Sequence, residues 1–221
     1  DETAYNKVTV GNFYTTKDGI TNGVNGLYST LRGMYIQEYL IYMCEGPSDI
    51  WIGHQGHEQW YNWTIDATNA DVRSFWYSCY KSVNQCNAVI ESLENNDIPG
   101  LDEDLKTRFL AESLFIRAHY FYHLVQQFGD IPMPLKPTNS VETTAHKTKV
   151  DEVWNQIVTD LEFAVENLPE TYQASEFGHI TKYAAMHHLS RVYLTLKRSD
   201  DDLKKALNYA EQVINSGKYS L

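Results

Sequence analysis

At 221 residues with 43% hydrophobic content, the chain is long enough to bury a substantial core and too apolar to be disordered. Its formal net charge of -11 argues against a nucleic-acid partner, because phosphate recognition rests on a basic field that releases counterions. Three cysteines, an odd number, do not form a disulfide framework: Cys79 and Cys86 would lie about 10 Å apart along one helix, and Cys44 could pair with only one of them, so free thiols packed as small buried hydrophobes are expected.

Asn12 to Cys44 reads as one long helix or two joined ones, with Ile20, Val24, Leu27, Leu31, Met34 and Tyr35 on a common face and Thr16 or Asp18 as entry cap. From about residue 45 to residue 70, glycines, Pro47 and several Asn and Asp break any period. The spacing there predicts a long loop, and loops of this length are uncommon unless functional. Helix resumes near Asp71, with Phe75, Tyr77, Val83, Cys86, Val89, Ile90 and Leu93 as its apolar stripe until Asn95, Asn96, Pro99 and Gly100 end it.

The stretch from Arg108 to Pro137 predicts a central helix. Leu110, Leu114, Ala118, Phe121 and Val125 recur on one face, and Phe109, Ile116, Tyr120 and Phe128 carry the apolar surface round the cylinder. Gly129 stands where a left-handed cap is wanted, and Pro132, Pro134 and Pro137 hold the exit extended. Thr148 is placed to cap the next helix, whose Val150, Val153, Trp154, Ile157, Leu161, Ala164, Val165 and Leu168 recur before Pro169. Thr181 caps the following one, turning Ala184, Ala185, His188, Leu189, Val192, Tyr193 and Leu196 inward. Asp200, Asp201 and Asp202 open the last helix, where carboxylates favour the macrodipole without a metal. Leu203, Ala206, Leu207, Ala210, Val213 and Ile214 then lead to Gly217. No strand pattern of comparable quality occurs, so the expected fold is all-α, with the final helices paired in the tetratricopeptide manner.

Chemistry concentrates in the loop, where His54, His57, Glu58, Trp60, Tyr61, Asn62 and Trp63 crowd together downstream of Asp49 and Trp51. A sugar ring has an apolar C–H face that stacks on indole or phenol and a rim of hydroxyls that needs carboxylate, amide or imidazole partners. Trp60, Tyr61, Trp63, Asn62, Glu58 and Asp49 are therefore the candidate glycan-binding residues. The competing reading makes some of these rings plugs that pin the loop to the helices. His54 and His57, or His119 and His123 at helical spacing, lack the HExxH pattern and a third ligand, so no metal is expected. Nucleophile elbows and phosphate-cradling loops are also missing from the sequence, and neither a catalytic residue nor a cofactor is expected.

The residues Ala111, Glu112, Phe115, Ile116, Arg117, Ala118, Tyr120, Phe121, Leu124, Phe128, Gly129, Asp130 and Pro132 reproduce a motif close to GEA-x-FLRA-x-x-Y-x-x-L-x-x-x-FGD-x-P. The chain thereby resembles the SusD/RagB-like nutrient-binding lipoproteins of the bacterial outer membrane. NFYTTKDGITNGVNGLYSTLRG upstream and KVDEVWNQIVTDLEFAVENLPE downstream are similar to neighbouring helices of that family. The resemblance implies an array of degenerate tetratricopeptide units spanning residues 1–221, as the N-terminal helical domain of a protein more than twice as long. It also implies non-catalytic binding of oligosaccharide or polysaccharide at the cell surface, with delivery to a SusC-like TonB-dependent transporter. Membrane attachment would come only through a lipid anchor on a cysteine ahead of Asp1, since no run of roughly 20 apolar residues and no signal peptide occur in this sequence, and the chain as it stands is expected to be soluble. Two other readings stay open: a helical-repeat module that binds protein or peptide, with the loop aromatics as interface anchors, and, more distantly, a glycoside hydrolase.

Overall fold

Thr16 begins the first helix by accepting a hydrogen bond from the Gly19 amide at 3.1 Å. The computed structural model describes residues 13–48, 56–138 and 144–219. Helix α1 (Lys17–Ile36) and helix α2 (Glu38–Glu45) are two joined helices, because Gln37 between them is extended at φ -75°, ψ 135°. A short helix α3 (Glu58–Tyr61) interrupts the expected loop, and α4 (Ala70–Asn95), α5 (Glu103–Phe128), α6 (Val150–Asn167), α7 (Lys182–Leu196) and α8 (Asp200–Asn215) follow. Among the described residues no strand forms, and an isolated antiparallel bridge joins Ile131 to Thr148. From α4 onward each helix packs on its neighbour in sequence, the pattern of stacked helical repeats.

The FGD stop of α5 works differently from its sequence reading at two points. Gly129 has a positive φ of 69°, but its ψ of -121° lies outside the left-handed helical well, in a region open to glycine alone. Thr148 does not cap α6. Its backbone is committed to Ile131, with N–H···O distances of 2.8 and 3.2 Å in the two directions. The cap comes from Asp130 instead, whose Oδ1 accepts from the Val150 amide at 2.9 Å while Oδ2 meets Lys149 Nζ at 2.9 Å. Both contacts hold the Asp130 carboxyl below its usual range. Asp130→Ala is expected to lower the urea unfolding midpoint, whereas Thr148→Val leaves the backbone bridge intact and should shift it less.

Helix α5 is central, with fourteen buried positions, including Glu112 and Arg117 among the apolar residues. The Arg117 guanidinium forms two 2.8 Å bonds to Asp160 of α6 and a 3.1 Å bond to Asn87 of α4. Glu112, fully buried, receives Tyr28 Oη of α1 at 2.6 Å and stands 2.9 Å from His179 Nδ1. Tyr172 shares its hydroxyl proton between Glu112 and the Ile180 carbonyl. Two motif residues thus tie α1, α4, α6 and the connection before α7 to one helix.

Several expected core positions fall elsewhere. Cys79 and Cys86 are buried thiols, both pushed up to about 12 by burial, but Cys44 is exposed. Tyr35, Tyr77 and Ala184 also face outward. On α8 only Ala206 is buried, and Leu207 and Ile214 lie on the side turned away from α7, the helix it packs on. A helix with one partner buries one stripe, however many apolar residues it carries.

His119 and His123 of α5 pack ring against ring at 4.7 Å, and His188 of α7 lies 5.1 Å from His119. Tyr35 Oη bonds His119 Nε2 at 2.8 Å, and His188 Nε2 is buried without a partner. Burial, together with neighbouring rings and Arg191, holds His119 well below its ordinary value, His123 at about 4 and His188 at about 3. No group of three or more His, Cys, Asp or Glu is positioned to hold a metal ion among the described residues.

These imidazoles are neutral in the folded protein and free to charge in the unfolded chain, so their stabilisation is full above about pH 6.5 and is lost as pH falls toward the depressed values. Each contributes up to about 1.4 kcal/mol per pH unit within that window. Urea unfolding from pH 7 to pH 5 should show this slope, and His188→Leu should flatten it; parallel slopes would contradict the assignment.

Candidate functional site

Trp60 is the anchor of the aromatic loop. Its side chain is 4% exposed, and its indole N–H donates to Asp71 Oδ2, near the start of α4, at 3.1 Å. The same oxygen stands 3.3 Å from His57 Nδ1, and the His57 ring stacks on Tyr42 of α2 at 3.8 Å with a 13° interplanar angle. Gly46 allows this closure, since a Cβ there would lie 2.8 Å from Trp60 Cβ and against the Tyr42 carbonyl. Asn69 caps α4 through Oδ1 and donates from Nδ2 to Gln59 Oε1 at 3.1 Å. The loop is therefore fastened to α2 and α4 at several points.

What the anchor holds in place is Trp63. Its side chain is 73% exposed, and its backbone sits at φ 57°, a left-handed conformation uncommon for any residue but glycine and an outlier for a bulky one. The local hydrogen bonds explain the geometry. Asn62 N–H closes on Glu58 O at 3.0 Å, and Thr64 N–H reaches back to Gln59 O at 3.1 Å, the long-range bond of a Schellman ending with Trp63 at the position glycine usually takes. A left-handed L-residue costs roughly 1–2 kcal/mol. Placing tryptophan there spends stability to keep an indole in solvent.

The other sequence candidates divide around these two rings. Tyr61 is half-buried and Asn62 is exposed, both next to Trp63, while Glu58 is half-buried and accepts the Gly56 amide at 2.9 Å. Asp49, together with Trp51 and His54, lies outside the described residues. The described part of the loop thus offers an exposed indole, a neighbouring phenol, an amide and a carboxylate with a spare oxygen, a set suited to stacking and hydroxyl recognition. Sequence spacing did not separate Trp60 from Trp63. Asp71, whose carboxylate claims Trp60 and His57, was the available signal.

A stack of neighbouring helices that carries a fastened aromatic loop is a tetratricopeptide-like scaffold. Residues 3–194 match the SusD-like family described as starch-binding and associating with the outer membrane, and the chain belongs to that family. A SusD-like protein P2 of Formosa agariphila is 29% identical, with 92% of this chain aligned to 40% of the relative. A SusD-like protein of Bacteroides ovatus is 26% identical, covering 93% of this chain and 39% of its own length. A solved laminarin-binding SusD-like protein superposes with a TM-score of 0.76 at 25% identity, over 90% of this chain and 44% of its own. The chain therefore spans about 40% of the length of the curated relatives it matches. No helix among the described residues is long and apolar enough to cross a membrane.

Proposed function

We propose that the protein is a non-catalytic glycan receptor of the bacterial outer-membrane surface, attached through a lipid anchor, which captures oligosaccharide on the loop around Trp63 and passes it to a SusC-like TonB-dependent transporter. The observation that carries this reading is an exposed indole held in a conformation that costs stability. Exposed strain of this kind persists where the surroundings fix it and use it. Trp63, with Tyr61 beside it, stacks on the apolar face of a sugar ring; Asn62, Glu58 and Asp49 meet hydroxyls. Trp60 contributes by positioning the loop. Support comes from the starch-binding description of the family and from the laminarin-binding neighbour.

The net charge of -11 disfavours anionic polysaccharides, so the ligand is a neutral glycan. Affinity electrophoresis of the full-length protein through gels containing laminarin, starch, xyloglucan, alginate or pectin tests this. At least one neutral polysaccharide should retard migration and neither anionic one should; unaltered mobility in every neutral gel would contradict the reading. Delivery is tested by co-purifying the tagged protein from outer membranes, where a TonB-dependent transporter is the expected partner.

A further inference from the structure

A concave surface lies against α4, apart from the Trp63 loop. It is a cleft of about 470 Å³ between α4 and the extended connection that leads from α5 toward α6. Ligand cavities typically run to roughly 300–1,000 Å³, so the space suits one or two sugar rings. One wall is an aromatic pair at helical spacing: Trp76 and Tyr80, with ring centroids 4.8 Å apart and tilted by 46°. Phe128 braces Trp76 edge-on, at 4.8 Å and 87°. Tyr80 spends its hydroxyl on the Pro132 carbonyl at 2.6 Å, which fixes its ring as a wall. The opposite side is also built in advance, because Asn87 Nδ2 holds the Pro134 carbonyl at 2.8 Å and Asn84 Oδ1 accepts the Thr138 amide at 2.7 Å.

The rim supplies hydroxyls and an imidazole from Thr138, Thr144 and His146, and no Asp, Glu, Lys or Arg is among the described lining residues. Among these residues a charged ligand finds no counter-charge. Flat rings beneath neutral donors and acceptors instead match the two faces of an uncharged pyranose. Both rings are partly buried and line the cleft.

We infer that this cleft is a second subsite for neutral sugar rings, distinct from the Trp63 loop; the inference rests on the glycan reading and extends it to a separate surface of the same helix. Asp71, which fastens the loop, and Trp76 are five residues apart on α4, about 7.5 Å along its axis. The two sites accordingly share one rigid support.

Titration calorimetry on the full-length protein with laminarihexaose, cellohexaose, maltohexaose and a xyloglucan heptasaccharide separates them. Ala145→Trp fills the cleft from an exposed position, and Thr144→Tyr is a second filling variant for use if the first fails to fold. Either should weaken binding of at least one of these sugars about tenfold, and the Trp76 indole N–H resonance of the wild type should move on adding that sugar. Wild-type affinity in the filled variant, with loss only in Trp63→Gly, would overturn the cleft and leave the loop. Loss in the filled variant alone would support the cleft and overturn the loop. No binding of any of the four sugars by the wild type would overturn both.

Discussion

Arg117→Ala is expected to lower the unfolding free energy by about 3–5 kcal/mol, a large share of the roughly 5–15 kcal/mol that holds a typical domain. The cost arises from what is left behind. Asp160 is 2% exposed, and losing both 2.8 Å bonds leaves its carboxylate with Gln156 as its remaining side-chain partner in an apolar interior. Asn87 loses its guanidinium contact too, so the clasp on the Pro134 carbonyl loosens. Burial pushes the Asp160 carboxyl up and Arg117 pulls it back, so removing the guanidinium raises it further. Removing both charges together in Arg117→Met with Asp160→Leu should recover most of the loss, since an apolar pair of similar volume leaves nothing unpaired. Urea unfolding of the single and double variants checks this, and an additive double variant would contradict it.

Trp60→Ala should destabilise by about 3–5 kcal/mol through the cavity it opens, lowering the melting temperature by roughly 10 °C for a chain of this size. It also removes the indole bond to Asp71, one of the loop's ties to the start of α4. Glycan affinity should fall as a consequence, because the loop that carries Trp63 loses part of its anchor. Trp63→Ala is the opposite case: 73% of its side chain is in solvent, so its loss should leave the melting temperature nearly unchanged while affinity falls. Variants at two tryptophans three residues apart thus both lower affinity but differ in their effect on stability, and calorimetry beside thermal melts distinguishes them.

The helices were readable in the sequence because their apolar residues recur at helical spacing and their caps are local. Thr16 and Thr181 both accept from amides three residues on. The Thr148 reading failed because the competing partner, Ile131, is brought near only by the folded chain, and Asp130, twenty residues before the amide it caps, cannot be recognised by spacing. Leu207 and Ile214 show the limit of periodicity, which marks an apolar face but not what covers it. At the candidate site, composition found the loop without ranking its rings. Which tryptophan is buried and which is exposed depends on Asp71, Tyr42 and Gly46, contacts made between separate elements. The Trp76 and Tyr80 wall was hidden for a related reason: its other side is an extended segment more than fifty residues away in sequence.

The most direct test of the central claim is Trp63→Gly, with affinity for a neutral glycan and thermal stability measured on the same preparation. Glycine relieves the positive φ of 57° and removes the displayed ring in one step. The account predicts a melting temperature equal to or above that of the wild type and an affinity at least about tenfold weaker. A variant that melts higher and binds glycan as tightly as the wild type would show that the displayed indole serves some other end.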